Sequence, residues 1–426
     1  MTLMGEIISN YENYINLEGG DFFDMGDGLR VNWGAFQKVP FPLELSMNFC
    51  SHQCPYCFSN LNKPERKFDP KQVMSLLANR RKSKTLEGEY LRAGFPVVAS
   101  NHVDPFADSN WRFFLPIAET LTELGIPIVL QTRGGKGIDE IMKFLPQSGW
   151  YVTLNYWDDN IRAKVEPSAT SIPHRWDLIE KIIARGDKVI IGINPAIPEF
   201  LSLEHAQKLI EKAYNLGVSG LWIETLHFSR QQLRNMKLQW KRQLGAKTLR
   251  LHKPSKKLAT PLFDYFMKIR AIAEEVGIPY YSDSQGNFTK FGQDVNAIYP
   301  KKFPTLQDWV NHAHTQEWDS EKLITFDEYW DFFSPHYPDG IHNIGNYICT
   351  TANEIYRSYQ GKWTNWMSYK DLLKFCWSNP LVHTNPANTP PFAYHLDEQG
   401  NKILDDAGLP LMGFWKEYQD FTLEDI

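Results

Sequence analysis

Three of the five cysteines in this 426-residue chain fall within "NFCSHQCPYCFSN", as Cys50, Cys54 and Cys57. Thiolates ligate zinc and iron–sulfur clusters alike, so count and spacing have to decide between them. A structural zinc site closes on four ligands, usually as two separated pairs. No second pair exists: Cys349 and Cys376 stand far along the chain and apart, and only His52 is near enough to complete a zinc set. Three cysteines instead suit three corners of a four-iron cluster, leaving the fourth iron open to a small-molecule cofactor.

Such a loop needs a scaffold, and the chain supplies a recurring one. Runs that read as strands, "PLELSMNF", "PVVASNHV", "IPIVLQTR", "WYVTLNYW", "KVIIGINPAI" and "VSGLWIETL", alternate with helical runs such as "DPKQVMSLLANRR", "NWRFFLPIAETLTELG" and "LEHAQKLIEKAYNLG". The helical runs space their apolar residues three and four apart. Three of them stop on a glycine, at Gly125, Gly186 and Gly217, where a left-handed C-terminal residue is expected. Strand then helix, six times over, predicts an α/β fold with parallel strands, a partial (β/α)6 barrel of TIM type. Working residues then belong at the strand C-termini, and the cysteines follow the first strand directly. "IPYYSDSQ" offers one further strand. The expected organisation is an N-terminal cap over residues 1–40, the barrel over 41–290 and an irregular, aromatic-rich C-terminal extension over 291–426 that serves as lid and substrate wall.

Cys50-x3-Cys54-x2-Cys57, with Tyr56 just before the last cysteine, resembles the signature of the radical S-adenosylmethionine (SAM) superfamily. "ASNHVDPFADSN", "QTRGG", "LNYWDDNIRAKVEPSATSIPHRWDLIEKIIARG" and "NPAIPEF" resemble, in order, segments of its spore photoproduct lyase-like branch, over about residues 40–230. The resemblance implies a [4Fe–4S] cluster held by the three cysteines, whose open iron chelates SAM. Reductive cleavage then gives methionine and a 5′-deoxyadenosyl radical that abstracts hydrogen from substrate. Carried over by position, Asn101 and Asp104 would stand near the SAM amino group, Arg133 would meet its carboxylate, Asn155 its ribose and Tyr56 its adenine. The usual glycine-glycine-glutamate turn is absent. Cys349, with Tyr347 nearby, is the nearest counterpart of the lyase's hydrogen-donating cysteine, although the surrounding "HYPDGIHNIGNYICT" departs from that motif and reads equally as holding a buried structural cysteine. Cys376, in "LLKFCW", reads as core, Glu224 as either a substrate ligand or an ordinary carboxylate, and "RGGKG" as a flexible loop rather than a phosphate loop.

Composition bounds the rest. The N-terminal residues lack the basic start and continuous apolar run of a signal peptide, and no stretch approaches a membrane span, so a cytoplasmic protein (host cytoplasm, if viral) is expected, with no membrane partner. A net charge of −5 argues against general nucleic-acid affinity. Yet "RQQLRNMKLQWKRQLGAKTLRLHKPSKKLATPLF", Arg230 to Phe263, carries ten lysines and arginines and no acid, which suits either a solvated face or a phosphate-contacting segment. The 14 tryptophans and 26 phenylalanines hint at aromatic surfaces on which a base could stack.

The resemblance and the composition together point to an enzyme that takes hydrogen from a nucleic-acid base, a thymine-derived group in DNA, with an external electron donor of flavodoxin or ferredoxin type. The reaction is either a lesion-repair lyase step or an isomerase rearrangement of a hypermodified base, and the poorly matched hydrogen donor tilts toward the second. A peptide or small-metabolite substrate stays open. So does a non-catalytic nucleic-acid-binding protein with structural zinc closed by His52.

Overall fold

The computed structural model describes residues 28–31, 43–47, 50–57, 70–83, 86–99, 103–226, 228, 230–252, 260–281, 304, 306–337, 369–378, 385–388 and 392–414. Eight strands form one sheet in chain order: β1 (Gly28–Val31), β2 (Leu43–Ser46), β3 (Val97–Ala99), β4 (Ile128–Thr132), β5 (Gly149–Thr153), β6 (Lys188–Ala196), β7 (Gly220–Thr225) and β8 (Tyr280–Tyr281). All pairs from β2 to β8 are parallel. The architecture is therefore the expected α/β partial barrel, with Tyr280–Tyr281 as a seventh parallel strand. One strand escaped the sequence pattern: β1 lies inside the stretch assigned to an N-terminal cap and pairs antiparallel to β2.

Helices cross over between the strands. They are α1 (Pro70–Asn79) and α2 (Leu86–Arg92) before β3, α3 (Trp111–Glu123) before β4, α4 (Ile138–Ile141) before β5, α5 (Asp159–Val165) and α6 (Ile172–Ala184) before β6, and α7 (Leu203–Leu216) before β7. Then α8 (Arg230–Asn235), α9 (Leu238–Leu251) and α10 (Thr260–Val276) lead to β8. In α7 the Ser202 hydroxyl accepts from the His205 N–H at 3.2 Å, and Gly217 at φ 80° ends the helix in the left-handed region. Its inward face is Ala206, Leu209, Ile210 and Ala213, the spacing that buries one stripe of a helix. β6, by contrast, is buried almost throughout, as a parallel strand covered on both faces must be.

Past the barrel, α11 (Leu306–Thr315), α12 (Phe326–Phe333), α13 (Tyr369–Ser378), β9 (Phe392–Tyr394) and β10 (Met412–Phe414) gather a second concentration of rings. Trp309 stacks on Phe392 with centroids 4.3 Å apart and meets Tyr329 edge-on at 4.9 Å. Trp377, Phe333 and Phe414 are buried with them, as is Cys376 on α13, the core position expected of it. These buried rings form a core, with Trp318, Trp330, Phe332 and Tyr394 partly buried against it.

Candidate metal and cofactor site

The cysteines lie past the C-terminal end of β2, in a loop shaped by two backbone turns: the Gln53 N–H reaches the Cys50 carbonyl at 3.4 Å and the Cys57 N–H the Cys54 carbonyl at 3.1 Å. Gln53 takes φ 50°, which lets the loop reverse between the first two cysteines. The segment after β3 pins it from the side. The Ser51 N–H donates to the Ser109 hydroxyl at 3.2 Å, and the Ser109 N–H returns to that of Ser51 at 3.3 Å.

His52 is the second pin. Its Nε2 lies 3.1 Å from Asp104 Oδ2 and its Nδ1 lies 3.2 Å from the Ser168 carbonyl oxygen, so both ring nitrogens are engaged. Asp104 is buried and collects donors from two elements. Thr132, the last residue of β4, donates to both of its carboxylate oxygens at 2.8 and 3.0 Å, the Arg133 N–H to Oδ2 at 2.6 Å, and the Phe106 N–H to Oδ1 at 2.9 Å. Burial alone would raise this carboxyl, but the hydrogen bond and charge of His52 and the two backbone donors outweigh it and hold it below its ordinary value.

Cys50 and Cys54 are buried and Cys57 is half-buried. Burial, the Asp104 charge and Cys57 push the Cys50 thiol up to about 12, against backbone hydrogen bonds from Asp104 and His52. Burial, Glu166 and the other two cysteines push Cys54 up as well, and Arg133 opposes them. Burial and neighbouring negative groups thus keep the Cys50 and Cys54 thiols protonated, and a bound cation is what would make them thiolates. Among the described residues, no group of three or more His, Cys, Asp or Glu side chains is drawn together closely enough to hold a single metal ion.

Arg133 faces this set from the end of β4. Burial disfavours its charge, but Cys54, Cys57, Asp104 and Cys50 outweigh that and raise it above its ordinary value. Its Nε lies 3.7 Å from Glu166 Oε1, an ion pair beyond hydrogen-bond reach, and this buried donor has no hydrogen-bond partner among the described residues. Glu166 is fully buried just past α5. It accepts from Arg175 Nη2 at 2.9 Å and from the Tyr156 hydroxyl at 3.2 Å. Arg175 is fixed in turn by the carbonyls of Thr170 at 2.9 Å and Thr153 at 3.1 Å. Burial, then Cys54, raises the Tyr156 hydroxyl despite the three nearby arginines, Arg175, Arg133 and Arg162.

A second polar chain crosses the strand ends. Asn155, just past β5, donates to the Tyr56 hydroxyl at 2.9 Å and accepts from the Asn194 N–H at 2.9 Å. Asn194 in β6 donates to Glu224 in β7 at 2.7 Å. The β6–β7 register shifts between Ile193 and Ala196, and this irregularity turns Asn194 onto the strand ends.

Of the residues singled out in the sequence, Cys50, Cys54, Cys57, Tyr56, Asp104, Arg133 and Asn155 gather here. Asn101, Tyr347 and Cys349 lie outside the described residues. Gly135 in "RGGKG" has a structural reason to be glycine: an added Cβ would sit 2.0 Å from the Phe106 carbonyl oxygen. Sequence reasoning missed Glu166 altogether. Its signal was a lone acid bracketed by Arg162 and Arg175 in a segment already noticed for other reasons.

No family model and no curated protein matches the chain. Among solved structures, Streptococcus suis SuiB bound to S-adenosylmethionine is similar at 14% identity and TM-score 0.39, over 58% of this chain and 52% of that one. A spore photoproduct lyase variant with bound AdoMet and dinucleoside spore photoproduct is similar at 12% identity and TM-score 0.40, over 54% of this chain and 72% of that one. SuiB bound to its precursor peptide SuiA gives 14% identity and TM-score 0.42, over 81% and 66%. The chain thus spans only about half the length of the first of these. At such scores these likenesses decide nothing about activity, which has to be argued from the chain's own residues.

Proposed function

We propose that this chain is a radical SAM enzyme that abstracts hydrogen from a nucleic-acid base, a thymine-derived group in DNA. The observation that carries the reading is the set of three cysteines in one loop past β2, two of them buried, facing the half-buried Arg133, whose buried Nε has no hydrogen-bond partner among the described residues. The donor set fits the cofactor. Three cysteines suit three irons and an open fourth, and Arg133 Nε, 3.7 Å from Glu166 Oε1, makes no hydrogen bond among the described residues, so a ligand carboxylate can take it. Zinc fits less well, because His52 would have to release Asp104 and Ser168 to serve as the fourth ligand.

When bound, the [4Fe–4S] cluster and SAM supply the one-electron cleavage that yields methionine and a 5′-deoxyadenosyl radical. The chain's own part is to hold and exclude. Cys50, Cys54 and Cys57 would hold the cluster, and Arg133 and Asn101 the amino-acid end of SAM. Asp104 supports that end from beside it, since its oxygens are already engaged by His52, Thr132 and two backbone donors. Tyr56 and Asn155, joined to each other, would border the nucleoside. Burial of Tyr56, Tyr156 and Asn155 keeps water from this wall. Cys349 and Tyr347 remain the candidates for returning hydrogen to product in a lyase reaction, whereas an isomerase recovers it from 5′-deoxyadenosine. The reductant is an external donor of flavodoxin or ferredoxin type. No helix among the described residues is long and apolar enough to cross a membrane.

The test is anaerobic purification with iron and sulfide quantified, then dithionite reduction with SAM and detection of 5′-deoxyadenosine. About four irons per chain, with cleavage that Cys54→Ala abolishes, is the expected result. Zinc without SAM cleavage would overturn the reading.

A further inference from the structure

We propose that α8 and α9 form a docking track for the phosphate backbone of DNA. The proposal rests on the nucleobase reading above for the identity of the substrate.

The charge is local. Between Arg230 and Phe263 the chain has ten lysines and arginines and no acid, on a protein whose net charge is −5. Folding sorts these residues by face. Along α9, Trp240, Leu244 and Thr248 are buried, while Arg242, Lys247 and Arg250 are exposed; Arg234 and Lys237 extend the exposed set through α8. Lys237 stands over the Trp240 ring at 4.8 Å. Among the described residues, Arg234, Arg242 and Arg250 make no ion pair or hydrogen bond, so three fixed charges are free to meet an outside anion.

The location is what separates this face from an ordinary solvated one. α9 is attached to the segments that follow three successive strands. His252 Nδ1 lies 3.1 Å from the carbonyl oxygen of Leu226, the residue after β7. Lys247 Nζ pairs at 3.1 Å with Glu199, and Thr248 donates to Glu199 at 3.4 Å, in the loop after β6. The helix also packs on α5, which follows β5. These are the strands whose ends carry Asn155, Asn194 and Glu224, so α9 and its exposed arginines stand at the end of the barrel that carries the site.

Dimensions agree with a strand of nucleic acid. Fourteen residues of α9, at about 1.5 Å each, reach at most about 21 Å, even with the break that Gly245 introduces at φ 81°. One DNA strand carries a charge every 3.4 Å or so, so about six phosphates fit that reach. An acidic peptide is the rival polyanion, but it offers no such regular charge.

The test is duplex DNA binding followed by fluorescence anisotropy between about 50 and 200 mM salt. Arg242→Ala with Arg250→Ala is compared with Lys143→Ala with Lys188→Ala, the latter pair removing equal charge near the N-terminal ends of β5 and β6. The expected result is that the arginine pair flattens the plot of log K against log salt by about 1.8, near 0.9 per lost phosphate contact, and that the lysine pair leaves it unchanged. Unaltered iron content and SAM cleavage in the arginine pair show that the fold and the cofactor site are intact. Equal slopes for the two pairs overturn the track, as does arginine-dependent binding of poly-glutamate without binding of DNA. Cys54→Ala separates the two readings: a slope change that survives there supports the track even if SAM is never cleaved, and SAM cleavage with equal slopes fells the track alone.

Discussion

His52 and Asp104 meet at 3.1 Å, and through that contact the cysteine loop after β2 is tied to the end of β4, because Thr132 and the Arg133 N–H bind the same carboxylate. One buried side chain therefore sets the distance between the thiols and the arginine that opposes them. Asp104→Ala leaves those donors buried without acceptors, and each such loss costs about 1–3 kcal/mol. A fall of about 3 kcal/mol or more in urea unfolding is expected, together with reduced iron per chain after reconstitution. Full iron loading in a destabilised variant would show that the carboxylate supports the fold and not the site.

Asp159 makes acid sensitivity testable. Its carboxylate accepts from Arg162 Nε and Nη2 at 2.9 and 2.8 Å and from the Ile172 N–H at 2.8 Å, joining the start of α5 to the start of α6. The Arg162 hydrogen bonds, above all, hold this carboxyl below its ordinary value. A group depressed in the folded state contributes stability above its unfolded pKa and loses it as pH falls through the folded one. Asp159→Asn should therefore cost about 1 kcal/mol near neutral pH, and its deficit should shrink below about pH 4 as the parent protein loses the same contribution. A deficit constant across that window would exclude this cause.

Much of the barrel was legible because parallel strands and their crossover helices write strong periodicities. β6 reads as an unbroken apolar run, and α7 repeats its buried face at three and four residues. β1 was not legible: four residues in antiparallel register to β2 have too short a pattern to stand out from a loop. At the site, the cysteines, Asp104, Arg133 and Asn155 could be found because they sit on strand ends or in a spaced motif. Glu166 could not, since its importance comes from Arg133 and Arg175 converging on it in space. His52 shows the same limit in reverse: adjacent to the cysteines in sequence, it is turned toward Asp104 and Ser168.

Gly192 and Tyr151 couple the two strands at the centre of the sheet. A Cβ on residue 192 would lie 2.1 Å from the Tyr151 ring, too near for any rotamer adjustment of a few tenths of an ångström to relieve. Gly192→Ala should cost about 1–3 kcal/mol, the usual penalty for overpacking. With Tyr151→Ala in the background the added cost should fall, giving a coupling of about 1 kcal/mol or more in a double-mutant cycle. Additive effects would mean that the ring moves aside freely.

Glu166 is placed to decide whether Arg133 is held or merely present. It is fully buried, with Arg175 Nη2 at 2.9 Å on one oxygen and Arg133 Nε at 3.7 Å from the other. Removing one partner from a buried ionic group leaves an uncompensated charge, which costs about 3–5 kcal/mol. Glu166→Ala should therefore lower stability by that amount. Glu166→Gln, which keeps the volume and one acceptor, should cost less and act chiefly on Arg133. Stability is expected to recover in part in Glu166→Gln paired with Arg175→Met, since the cation that the carboxylate balanced is then gone while the Thr153 and Thr170 carbonyls lose a donor, whereas SAM affinity measured by equilibrium dialysis should stay weakened because Arg133 has lost the carboxylate beside it. Recovery of both together would mean that Arg133 keeps its place without Glu166, and that the carboxylate serves Arg175 alone.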